Sequence, residues 1–278
     1  MYTVSTLVTP ELASELLDNN VNNRSLRQSY VNHLVNELTE GRWHLTHQGI
    51  AVATDGRLLD GQHRLTAIVE SGLSATLNIS YDCDPNAFKV IDTGTARTCA
   101  DVLRADSSQT RAESVTAAAV KLVYLYHNFP ALVWIGSLTK VSHSVLLDFY
   151  HEDSDFYLYG VELANFARKE YKFFSTKSAI AAFVVLVMQS SRCNLIDARN
   201  SLDDFIKKAA TGLHLDEYDP RFVLRKQLVN GWQPIATNKS QLWLAIWIKL
   251  YNLHMLDASV KLFKAPSFPP MPKVQSSC

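Results

Sequence analysis

"RLLDGQHRLTAI", Arg57 to Ile68, decides how this chain is read. Asp60, Gly61, Gln62, His63 and Arg64 follow one another, and apolar residues then resume at helical spacing with Leu65, Ile68 and Val69. A short apolar run, Arg57–Leu59, leads into this stretch, and Asp55-Gly56 before it is a hairpin signal that pairs the run with Ile50–Ala53. The segment therefore predicts a strand, a glycine turn and a helix to about Ser71. The first turn of a helix leaves backbone N–H groups without partners and carries partial positive charge. A glycine there lets an anion approach the backbone. Gln62 and His63 add donors, and Arg64 adds a planar cationic fork matched to phosphate oxygens. Asp60 does not bind an anion. Its roles are to cap the helix, to hold a magnesium ion shared with phosphates, or to take a proton from an attacking hydroxyl. The group suits a nucleotide di- or triphosphate, with Asp60 and His63 as the candidate catalytic pair. The alternative is a capped turn whose His63 and Arg64 are surface groups.

The same pattern continues outward. Tyr2–Val8 is β-rich and ends at Thr9-Pro10, where Thr9 is an N-cap candidate and Pro10 fits the first helical position of a helix to about Leu17. "DNNVNNR", Asp18–Arg24, is turn chemistry. A helix is predicted from about Leu26 to Glu40, with Val31, Leu34, Val35 and Leu38 on one stripe and Gly41 ending it. Ala75–Tyr81 reads as a strand and Asn86–Ile91 as a turn plus strand. Beyond Ser107 the periodicity becomes helical. Helices are expected over 109–129, Ser142–Tyr150, Asp155–Arg168, Lys177–Ser190, Ile196–Ala209, Arg221–Leu228 and Asn238–Leu256. The expected fold class is α+β: an N-terminal mixed domain over 1–105, an all-helical region over 110–264, and a Pro-rich extended tail over 265–278.

"LLDGQHRLTAI" resembles the signature of the ParB/sulfiredoxin superfamily. Asp60, Gly61, His63 and Arg64 match the Asp-Gly-His-His-Arg pattern of its free-serine kinase branch, with Gln62 in place of the middle His. "NNR" (Asn22–Arg24) resembles the Asn-to-Arg stretch before the family's first long helix. The run from "LVNELTEGRW" to "IDTGTARTCADVL" resembles ParB-like phage and prophage proteins. The resemblance covers residues 1 to about 105. It implies a phosphate pocket formed by Gly61, Gln62, His63 and Arg64 with Arg24 reaching in. It also implies a nucleoside triphosphate, ATP or CTP, with Mg2+, and a setting in the cytoplasm of a host bacterium. An NTPase, a phosphotransferase or a metal-dependent nuclease acting in DNA metabolism would fit. Two departures narrow this. The Gly61–Arg64 turn has no cysteine, which argues against sulfiredoxin chemistry, and the Glu-Arg-Arg version of CTP-dependent partition clamps is absent.

"DTGTARTCAD", Asp92–Asp101, repeats the logic of a glycine turn before a helix, with Thr93, Thr95 and Arg97 as oxygen ligands of a second pocket wall. Its other reading is a glycine turn with a threonine cap. "GRWHLTHQG" carries His44 and His47, but Gly41 has just broken the helix and no third ligand is near, so a metal site is not expected.

The 278 residues balance 27 Lys and Arg against 27 Asp and Glu. The balance hides a split: residues 1–110 carry eight basic and thirteen acidic groups, and the remainder carries nineteen and fourteen. The basic part mixes cations and aromatics at Arg168, Tyr171, Lys172, Phe173 and Phe174, a mixture that can follow nucleic acid or reflect cations lying over a core. Cys83, Cys99, Cys193 and Cys278 are scattered and suggest neither zinc nor disulfides. No signal peptide or membrane span is expected. Two rivals to the nucleotide reading stay open. One is a non-catalytic DNA-associated or host-takeover protein, and the other is a scaffold that forms homo-oligomers.

Overall fold

The computed structural model describes the chain except for residues 22, 24, 87–97, 107–112, 135–139, 171–174, 234–238, 268–269 and 277–278. It divides into two compact units, Met1–Ala96 and Arg97–Cys278.

In the N-terminal unit, β1 (Tyr2–Val8) runs into α1 (Pro10–Asp18) through Thr9, whose Oγ1 accepts from Leu12 N at 3.3 Å, with Pro10 at the first helical position. Then follow α2 (Gln28–Thr39), β2 (Ile50–Ala53), β3 (Leu58–Asp60), α3 (Gln62–Ser71) and β4 (Ala75–Cys83). The sheet order is β1-β4-β2-β3. β1 and β3 lie antiparallel to their neighbours, whereas β2 and β4 are parallel, with Ile50 opposite Ile79. β4 alternates, burying Ala75, Leu77 and Ile79 while Thr76 stays exposed, as a sheet with one covered face must. Val31 and Leu34 of α2 and Leu65 and Ile68 of α3 join these strand residues in one apolar cluster. The β2–β3 turn is one residue longer than a two-residue hairpin. Gly56 N donates to Ala53 O and Ala53 N to Arg57 O, a three-residue loop closed by Gly56 at φ +83°.

The helical unit contains α4 (Cys99–Asp106), α5 (Glu113–Asn128), α6 (His143–Glu152), α7 (Ser154–Glu170), α8 (Lys177–Ser190), α9 (Leu195–Thr211), α10 (Pro220–Val229) and α11 (Lys239–Met255). α8 is its centre: every residue from Ala179 to Met188 is buried, and α5, α7, α9 and α11 pack around it. Gly160 lets α7 approach closely, since a Cβ there would lie 2.8 Å from Ala181 O. Ser142, Thr176, Asn194 and Asp219 cap α6, α8, α9 and α10 with their side chains.

One boundary differs from the sequence expectation. α4 belongs to the helical unit, because Leu103 is buried in that unit's core, so the division falls before it. The tail contains no helix or strand among the described residues, yet it is docked. Met271 is buried with its N–H on Pro130 O, Val274 N donates to Tyr126 Oη, and Asn252 clasps Lys273 O and Gln275 N. The expected strand near Asn86–Ile91 lies almost wholly outside the described residues.

Candidate functional site: the β3–α3 turn

Asp60 ends β3, and Gly61 turns the chain into α3 at φ +104°, a left-handed conformation that glycine adopts at little cost. Space also demands glycine: a Cβ at 61 would lie 2.3 Å from Ile50 Cδ1. The turn therefore rests directly on β2. Asp60 Oδ1 accepts from Gly61 N at 2.7 Å, so a carboxylate oxygen already lies on the first amide of the turn. Arg64, one helical turn on, stands 3.8 Å from Asp60 Oδ2. Its guanidinium donates to Gly49 O at 3.1 Å and to Gln48 Oε1 at 3.3 Å. Gly49 owes its place to a close approach of two backbones, since a Cβ there would lie 1.9 Å from Asn78 O on β4. Arg64 and Asp60 keep part of their side chains in solvent, 18% and 30%.

Gln62 and His63 face inward. Each is 5% exposed. Gln62 Oε1 accepts from Asn20 Nδ2 at 3.1 Å, and Asn20 Oδ1 in turn accepts from Asn23 Nδ2, which also reaches Leu58 O at 2.7 Å. His63 Nε2 accepts from Arg27 N at 3.1 Å, and Tyr30 meets the imidazole edge-on with centroids 5.4 Å apart. An imidazole that accepts from a backbone amide at Nε2 keeps its lone pair there occupied, which removes that nitrogen as a base. The turn thus divides its polar residues. Asp60 and Arg64 form the partly exposed outer edge, Gly61 is buried between them, and Gln62 and His63 peg the turn to the loop between α1 and α2.

The sequence pattern did not reveal the pegs. "DNNVNNR" reads as turn chemistry, and its Asn20 and Asn23 prove to be hydrogen-bonding partners of α3 and β3. The amide-rich composition was the available signal. Arg24, Thr93, Thr95 and Arg97, expected to complete the pocket, lie outside the described residues. His44 and His47 are exposed, and no group of three or more His, Cys, Asp or Glu is gathered among the described residues. Trp43 packs against the N-terminal core with its indole N–H buried and unpaired. No described helix is long and apolar enough to cross a membrane. The chain matches no protein-family model, and no curated protein or solved structure matches it significantly.

Proposed function

We propose that the N-terminal unit binds the phosphates of a nucleotide, ATP or CTP, at the β3–α3 turn, as a ParB-like module of phage or prophage type. One observation carries this reading: Gly61, which both its backbone angle and its contact with Ile50 demand, opens α3 beside an arginine one turn on. Backbone amide and guanidinium on one edge of a helix start are the donors an oxyanion needs. Asp60 holds the amide now, so a phosphate oxygen would take that donor over. The carboxylate so displaced is the one group on the turn able to hold Mg2+, which keeps most of its ligands as water and phosphate oxygens. Mg2+ would supply charge neutralisation there. Gln62 and His63 serve as supports in this reading. His63 keeps the turn in register with α2 through Nε2.

Binding rather than turnover is the role the inward His63 favours. The basic excess of residues 111–278 favours a DNA partner for the helical part as a second reading. A thermal-shift panel of ATP, CTP, GTP and UTP, with and without Mg2+, tests the first. A nucleotide at a hundredfold excess over its Kd stabilises by about 2.7 kcal/mol and raises Tm by several degrees. Arg64→Ala should abolish that rise with its circular dichroism unchanged. Equal responses from wild type and variant refute the site. A steeply salt-dependent DNA shift without any nucleotide response favours the second reading.

A further inference from the structure

The helical unit contains a cleft of about 460 Å³ that the β3–α3 site does not involve. Its wall brings together residues far apart in the chain: Ser114 and Ala118 of α5, Arg168 of α7, Lys177 and Ser178 at the start of α8, and Trp243 of α11. The volume falls in the range of small-molecule sites. Among the described residues its charge is one-sided: no carboxylate lines it, and neither Arg168 nor Lys177 has an acidic partner.

Both cations are held in place by neutral acceptors. Arg168 donates through one terminal nitrogen to Ser175 O at 3.2 Å, and Lys177 Nζ donates to Asn165 Oδ1 at 2.7 Å. Each contact spends one N–H of a group that has several, so the remaining donors stay available. Ser175, also in the lining, is itself fixed: its Oγ accepts from Trp247 Nε1 at 3.0 Å. The start of α8 faces the same space. Thr176 caps Ala179 N, while Lys177 and Ser178 sit in the first turn, where amides have no intrahelical acceptor. Two cations without counter-charge among the described residues, hydroxyls and a positive helix end therefore converge on one recess. The rest of the lining is apolar, with Val115, Ala118 and Trp243.

We propose that this cleft binds a small molecule with a terminal phosphate and a planar or apolar body, of nucleoside monophosphate size. A dianionic terminal group matches the two cations, and a body of that kind matches the apolar lining of Val115, Ala118 and Trp243. A nucleic-acid backbone, with one charge per phosphate spread along a surface, has no end to place in the recess. The site is independent of the β3–α3 turn.

The test is calorimetric titration of the full chain at low ionic strength with AMP, with inorganic phosphate and with a single-stranded oligonucleotide. The proteins are wild type, Lys177→Gln, Ala118→Glu and Lys261→Gln, the last at an exposed lysine outside the cleft lining. Ala118 is exposed on α5, so glutamate there adds a carboxylate to the mouth without removing a native contact. Lys177→Gln and Ala118→Glu should each weaken AMP binding at least about tenfold, the loss of one charge-assisted contact, and Lys261→Gln should leave it unchanged. Wild type that binds neither AMP nor phosphate overturns the proposal. So do equal affinities in wild type and both cleft variants, or binding of the oligonucleotide alone.

Discussion

The two units reach a fixed shape by opposite means. In the N-terminal unit, side-chain amides and an imidazole set the loops. Asn20 holds Gln62, Asn23 holds Leu58 O, and His63 holds Arg27 N, each across more than thirty residues of chain. In the helical unit, apolar volume sets the packing. Phe183, Phe205, Trp247 and Tyr251 meet one another with centroids 5.3 to 6.3 Å apart, and α8 and α11 are buried on most sides. Hydrogen-bonded pegs tolerate few residue types, since an orphaned buried partner costs the full desolvation penalty. Packed volume tolerates apolar exchange that preserves size. The contrast teaches that a run of polar residues beside a helix start divides between reading a ligand and locking a loop. Only burial says which residue does which.

The contrast is broken most severely from the helical side. Phe183→Ala removes a ring that stacks on Trp247 at 5.7 Å and lies fully buried. It should cost about 3–5 kcal/mol in chemical denaturation, whereas Phe183→Leu, which keeps most of the volume, should cost far less. On the N-terminal side, Gly61→Ala places a Cβ against Ile50 and forces an L-residue to φ +104°. The expected loss is about 2–4 kcal/mol. Pairing it with Ile50→Val, which shortens the side chain it would strike, should recover the steric part and leave the backbone part. A full recovery would show that φ does not constrain this position.

The smallest effect is a pH dependence. Burial holds the His254 imidazole below its usual range, Arg221 pushes it further down, and Asp219 and Asp204 oppose. The unfolded chain then takes up the proton first. The contribution is complete above about pH 6.5, the unperturbed value, and is lost as pH falls through the lower folded pKa. The Tm of wild type should decline from pH 7.5 to 5.5, and His254→Gln should decline less steeply. Parallel curves would remove the imidazole from the account.

Most elements were legible. Tyr2–Val8, the Pro10 helix start, Ile50–Ala53 and Lys177–Ser190 stand where alternation, capping and helical spacing put them. These signals are local, and local patterns report which face of an element is apolar. The site was legible only in part. Gly61 stands out from sequence because a turn between strand and helix needs it. The inward placement of Gln62 and His63 depends on Asn20 and Arg27, 42 and 36 residues away, and no periodicity encodes that. The α8 cleft was invisible for the same reason, its wall coming from four helices. The tail reads as extended from its prolines, but Met271 and Asn252 dock it through contacts that composition does not specify.

The central claim is that the turn at Gly61 receives an oxyanion. The backbone amide resonance of Gly61, followed by NMR while ATP or CTP with Mg2+ is titrated into the full chain, tests it most directly. The account predicts a saturable shift of the Gly61 amide and of the Arg64 guanidinium Nε–H, as Asp60 gives up its bond. Saturation that moves the amides of Lys177 and Ser178 while Gly61 and Arg64 stay fixed would contradict it.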